Sequence, residues 1–138
     1  MKLVLDINVI ISAIIKENSI IRALFSLPFL GFYLPEYALM ELKKNEEIII
    51  KKSGLEKKEL QVLLKLLLSR VKIVRDSVFA LYYGQAEKII GSIDKKDIPY
   101  VALALAVKSD GIWTADKHFA KQNLIKIFTT EKLLSLII

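Results

Sequence analysis

Apolar residues fall into two rhythms along this chain: short runs of four or five, and longer stretches with helical spacing. "KLVL" at 2–5 is apolar enough for a strand buried on both faces, and it stops at Asp6. Helical spacing follows from Asn8 to Ile15, then from Ser19 to Leu27, where Pro28 closes it. "GFYLP" (31–35) reads as a strand stopped by Pro35. Residues 36–54 again have helical spacing, with Tyr37, Met40 and Leu42 apolar among charged neighbours and Gly54 as terminator. Residues 55–70 predict a helix with leucines crowded on one broad face, and "VKIV" (71–74) is a β-branched strand. A helical stretch over 79–91 ends at Gly91, and a nearly all-apolar helix occupies 98–107. "GIWTAD" (111–116) is a strand running into a loop, "IKIFT" (125–129) a last strand and 130–137 a last helix.

Strands alternating with helices predict an α/β domain of three layers, α/β/α, around a central, mostly parallel sheet. A length of 138 residues suits one domain over 1–138, with no second of ordinary size. Hydrophobic residues make up 54%, above the roughly 45–50% of an average globular protein, which supports a sizeable core. The start, "MKLVLDINVIISAII", resembles a secretory leader, but Asp6 interrupts the apolar region and no small-residue cleavage site follows. The longest uncharged stretch, Ala23 to Pro35, is too short to span a bilayer and holds two prolines. A soluble, cytoplasmic protein with no membrane association is expected. Part of that stretch serves either as core or as an oligomer interface.

Charge widens the picture. The net charge of +6 favours a polyanionic partner such as nucleic acid, although lysines that merely solvate an Ile/Leu-rich surface give the same figure. With no cysteine, disulfides, zinc–thiolate sites and thiol catalysis are excluded. The single histidine and the lack of a GxSxG elbow leave a Ser–His machine unsupported. Neither a GxxxxGK[ST] loop nor a GxGxxG turn is present.

Most acids lie in Lys/Glu-rich helical stretches, but four do not. Asp6 ends the first strand, Glu41 sits within "YALMEL", Asp97 opens "IPYVALALAV" and Asp116 follows "GIWTA". In open α/β sheets ligands bind beyond the carboxyl ends of the strands, so these four can meet on one rim. Carboxylates crowded there repel one another unless a hard divalent cation, Mg²⁺ or Mn²⁺, binds between them. Such a cation activates water and stabilises phosphoryl oxygens. Ordinary structural accounts stand beside this one. Asp97 makes a good helix N-cap, Asp6 or Asp116 can start a turn or cap a helix, and Glu41 can be a half-exposed helix residue. His118, beside Asp116, is either a contact for substrate phosphate or a plain loop residue, and Asp110 in "KSDG" has turn chemistry only.

"LVLDINVIISA", "LPEYALMELKK" and "DKKDIPYVALALAVKSDGIWTADKHF" resemble, in order and spacing, the motifs of the PIN-domain ribonucleases, and especially the prokaryotic VapC-type toxins. The resemblance covers nearly the whole chain. It implies an Mg²⁺- or Mn²⁺-dependent endonuclease acting on RNA, with Asp6, Glu41, Asp97 and Asp116 as the family's acids. Asn8 stands where the family usually has Thr or Ser and can still hydrogen-bond a ligand. Thr114 matches the hydroxyl residue that orients the site, and Asp94 is read as an outer acid or a turn residue. Lys117 and Lys121 are candidate contacts to the RNA backbone. A small antitoxin partner and a homodimer are expected on the same ground. The alternatives are a non-catalytic PIN module that binds RNA or protein, and a receiver-like phosphoacceptor. "DIN" and "VKIVRDS" lack the acids that the latter needs.

Overall fold

The computed structural model describes residues 1–16 and 20–138, so Ser19, the expected start of the second helix, lies outside the described residues. Elements run β1 (Lys2–Leu5), α1 (Ile7–Ile15), α2 (Ile20–Phe25), β2 (Gly31–Pro35), α3 (Tyr37–Lys44), α4 (Glu46–Ser53) and α5 (Lys57–Leu68). They continue with β3 (Val71–Val74), α6 (Asp76–Phe79), α7 (Tyr83–Ala86), α8 (Ile98–Ala106), β4 (Gly111–Trp113), β5 (Ile127–Phe128) and α9 (Thr130–Ile137).

The five strands form one parallel sheet in the order β3-β2-β1-β4-β5. The chain moves from β1 to β2 to β3 in one direction, then jumps back across the sheet to β4 and β5. Right-handed crossovers in opposite directions place their helices on opposite faces. The helices α1 to α5 therefore form one layer, and α6 to α8 the other, where α8 packs across β1, β2 and β4. This is the expected α/β/α arrangement. The reversal puts the topological switch point between β1 and β4, the place where ligands bind in such sheets.

Leu3, Val4 and Leu5 are fully buried, as a central strand covered on both faces requires. Trp113, Phe25 and Phe32 form an aromatic cluster with centroids 5.0–5.9 Å apart. The apolar stretch 23–35 is mostly core: Leu24, Phe25, Leu30, Phe32 and Leu34 are buried, and Phe29 is exposed. The α8 sequence is apolar all round because it is enclosed, with every residue from Ile98 to Ala104 buried.

Four segments differ from expectation. Residues 36–54 form two helices rather than one, because Asn45 leaves the helical region (φ −97°, ψ 5°). Its side-chain amide also donates to the Glu41 carbonyl at 2.7 Å, competing with the helical ladder. The 79–91 stretch starts earlier, at Asp76, and is broken into α6, a 3₁₀ turn (Ala80–Tyr82), α7 and a π turn (Glu87–Gly91). The weak helix formers Tyr82, Tyr83 and Gly84 sit in its middle. The last two strands shrink to 111–113 and 127–128. The 55–70 helix is trimmed to Lys57–Leu68 by a Glu56/Glu59 capping box.

Candidate metal centre

Parallel pairing of β1 with β4 sets Leu5 opposite Trp113, so the residues that follow, Asp6 and Thr114, leave the sheet side by side. The Asp6 amide bonds the Trp113 carbonyl at 3.1 Å. Asp6 is 4% exposed and both its oxygens are engaged: Oδ1 accepts from the Asn8 amide (3.1 Å) and Oδ2 from the Thr114 hydroxyl (2.7 Å). Asp6 thus caps α1, as its ordinary reading allowed, and still faces the rim. The buried Thr114 hydroxyl also accepts from the Asp116 amide at 2.9 Å, tying the end of β1 to the loop after β4. Asn8, expected to act through its side chain, reaches Asp6 through its backbone N–H.

Asp97 closes a 3₁₀ turn (Lys95–Asp97) that delivers the chain into α8. It occupies the N-cap position, but its side chain makes no capping bond. The capping account of Asp97 therefore does not hold. Asp94 does the local capping instead, accepting from the Lys96 amide at 3.0 Å. Asp97 is 7% exposed, and its Oδ2 is buried with no hydrogen-bond partner among the described residues. An unpaired buried carboxylate oxygen is costly, and it is the kind of atom a cation satisfies.

Glu41 projects from α3, half-buried, and its Oε1 accepts from the Tyr100 hydroxyl on α8 at 2.8 Å. Asp116 turns toward the same space and accepts the His118 amide at 2.9 Å. His118 Nδ1 lies 3.3 Å from Asp94 Oδ2 and 3.5 Å from Asp116 Oδ1.

These acids share one field. Burial, reinforced by the nearby Asp94, Asp116, Asp6 and Glu41 carboxylates, pushes the Asp97 carboxyl up to about 7. Burial also raises Asp6, against the opposing hydrogen bonds from Thr114 and Asn8. Glu41 is raised by burial, partly offset by the Tyr100 hydrogen bond and by Lys96 and Lys44. Burial, together with the Glu41 charge, holds the Tyr100 hydroxyl in its protonated, donating form.

The structure therefore brings Asp6, Glu41, Asp97 and Asp116 to one rim and adds Asp94 to them. Sequence reasoning did not single out Tyr100, nor Lys44 and Lys96 as the cations nearest Glu41. Lys96, two residues after Asp94, could have been noticed by proximity, as Lys117 was. The donors are carboxylates with one imidazole, a set that suits a hard or borderline divalent cation, and the orphaned Asp97 oxygen fits such an ion.

A parallel α/β/α sheet with acids gathered at its switch point defines a class that the family comparison identifies. The PIN domain model matches residues 4–136, and the chain belongs to that family. No curated protein matches the chain by sequence. Among solved structures, the fold is similar to that in the crystal structure of VapBC2 from Rickettsia felis bound to a DNA fragment from their promoter. That match has a TM-score of 0.68 and 20% identity, and it covers 94% of this chain and 98% of the other.

Proposed function

We propose that this chain is a Mg²⁺- or Mn²⁺-dependent endoribonuclease and the toxin of a toxin–antitoxin pair. The observation that carries the reading is the buried, unpartnered Oδ2 of Asp97 amid four other carboxylates. PIN domains are generally nucleases that use divalent metals, which agrees with it. In this reading Asp6, Glu41, Asp97 and Asp116 hold the cation, with Asp94 and Asn8 supporting. When bound, the ion supplies an activated water and neutralises charge on the scissile phosphate.

The chain's own groups prepare that reaction. Thr114 fixes one Asp6 oxygen and the Asn8 amide fixes the other, so the carboxylate cannot swing away from the rim. Tyr100 orients Glu41 across the gap between α3 and α8. Lys44 and Lys96 lie close enough to Glu41 to lower its pKa, and Lys117 follows Asp116 directly. These cations, with Lys121, hold and steer the RNA backbone toward the acids.

The toxin assignment draws on family membership and on the fold shared with a component of VapBC2. It implies a small antitoxin partner lying over the acidic groove and a chain that pairs as a homodimer in the cytoplasm. No helix among the described residues is long and apolar enough to cross a membrane.

The test is cleavage of end-labelled RNA by purified protein with Mn²⁺, Mg²⁺ or excess EDTA. Cleavage is expected only with metal, and is expected to be lost in Asp6→Asn and Asp97→Asn proteins that keep the wild-type circular dichroism. Cleavage that survives EDTA, or that Asp97→Asn leaves intact, refutes the mechanism. Expression in a host cell is expected to arrest growth for wild type and not for Asp97→Asn.

A further inference from the structure

Asp94, Asp97 and His118 come from a turn, a helix start and the loop after β4. Each offers one ligand atom, and these atoms all lie within 4.8 Å of one another. His118 Nδ1 is 3.3 Å from Asp94 Oδ2. Adjacent ligands on an octahedral ion with bonds of about 2.1–2.3 Å stand about 3.0–3.3 Å apart. Imidazole and carboxylate are thus spaced like neighbours in a coordination shell. The second, independent observation is Asp97 itself: 7% exposed, with Oδ2 buried and unpartnered. An imidazolium paired with Asp94 is the competing account, and it leaves that oxygen unsatisfied.

Local bonds hold the remaining donors in place. Asp94 Oδ1 accepts the Lys96 amide at 3.0 Å, and the His118 amide donates to Asp116 Oδ1 at 2.9 Å. The His118 side chain is 46% exposed, so a hydrated ion can reach Nδ1 from solvent.

We propose that Asp94, Asp97 and His118 form a cation site with mixed oxygen and nitrogen donors, which takes a first-row transition ion in preference to Mg²⁺. The inference rests on the metal-dependent reading of the neighbouring acids and deepens it, because it fixes which metal the cluster selects. Carboxylates alone accept Mg²⁺ and Mn²⁺ alike. A neutral imidazole adds affinity for Mn²⁺, Fe²⁺ or Co²⁺ and little for the strongly hydrated, oxygen-seeking Mg²⁺. Asp97 also feels the charges of Asp116 and Asp6, and Asp116 Oδ1 lies 3.5 Å from His118 Nδ1, so this site adjoins the other acids of the rim.

His118 is the chain's single histidine, so one isotopic label reports on it alone. Tag-free protein made with ¹⁴N- or ¹⁵N-histidine is loaded with Mn²⁺ and examined by pulsed electron paramagnetic resonance, alongside calorimetric titrations of Mn²⁺ and Mg²⁺. The expected result is a nitrogen coupling that changes with the label and disappears in His118→Ala. The ratio of Mn²⁺ to Mg²⁺ affinity is expected to fall roughly tenfold in His118→Ala, with Mg²⁺ affinity nearly unchanged. His118→Gln, which restores an oxygen donor, is expected to recover binding without nitrogen coupling or selectivity.

The outcomes separate the two readings. Mn²⁺ binding that Asp97→Asn abolishes, with no nitrogen coupling and an unchanged ratio in His118→Ala, overturns this inference and leaves the nuclease reading standing. Nitrogen-coupled Mn²⁺ without RNA cleavage upholds the site and overturns the nuclease reading. Absence of Mn²⁺ binding overturns this inference, and absence of both Mn²⁺ and Mg²⁺ binding overturns the nuclease reading as well.

Discussion

Replacing Asp97 with Asn removes a charge and keeps the shape, which isolates what the carboxylate costs the metal-free fold. Its carboxyl is raised from 3.8 to about 7 by burial and by its acidic neighbours. Below about pH 4 the group is neutral in both folded and unfolded chains, and its charge costs nothing. Between about pH 4 and 7 the unfolded chain releases the proton while the folded one keeps it, so stability falls as pH rises, and above 7 the cost is constant. A rise of that size corresponds to about 4 kcal/mol at most, and water at the rim screens this to about 2–3 kcal/mol. In EDTA near pH 8, Asp97→Asn is therefore expected to melt about 5–10 °C above wild type, a gap that closes near pH 4. Mn²⁺ at pH 8 closes most or all of this gap. Wild type gains about 2.7 kcal/mol at a hundredfold excess over the dissociation constant, and the variant gains little. Thermal melts followed by circular dichroism, in EDTA and in Mn²⁺ at both pH values, measure all four quantities. The reasoning is refuted if Asp97→Asn is less stable than wild type in EDTA at pH 8, by the roughly 0.5–2 kcal/mol of a lost helix cap.

Thr114→Val deletes a buried hydroxyl bonded to both Asp6 and the Asp116 amide. It is expected to cost about 1–3 kcal/mol in chemical denaturation and to weaken Mn²⁺ binding in calorimetry. Tyr100→Phe frees Glu41 and raises its pKa further. It is expected to weaken Mn²⁺ binding several-fold while changing stability by no more than about 1.5 kcal/mol, checked by titration and melting on one preparation. Gly111→Ala drives a methyl into the Lys126 carbonyl oxygen and the Phe128 ring, between β4 and β5. A loss of about 1–3 kcal/mol in urea unfolding is expected, with the acids untouched.

Much of the fold was legible because β1 and α8 carry strong patterns: an apolar run ended by a charge, and an apolar helix opened by Asp97 and Pro99. The places that were not legible share a cause. Asn45 splits a helix through a side-chain bond that periodicity does not register. The 3₁₀ and π turns around α7 keep enough helical spacing to pass for one regular helix. At the candidate site, the four acids could be named because each ends or opens an element. The Tyr100–Glu41 bond joins residues 59 apart, and only the packing of α8 against the sheet brings them together. His118 could be weighed from its closeness to Asp116. Its approach to Asp94 depends on how the loop after β4 folds back over the turn before α8.

The switch point between β1 and β4 also governs when the acidic cluster comes into being. Asp6 and Glu41 precede β3, whereas Asp94, Asp97, Asp116 and His118 follow it. A chain that has emerged only as far as β3 therefore holds two of the acids and none of their opposing partners. The rim is complete only once β4 lies beside β1, because the bond from Thr114 to Asp6 crosses that seam. Any activity that depends on the cluster is therefore silent during synthesis. It switches on only when the second half of the chain docks onto the first.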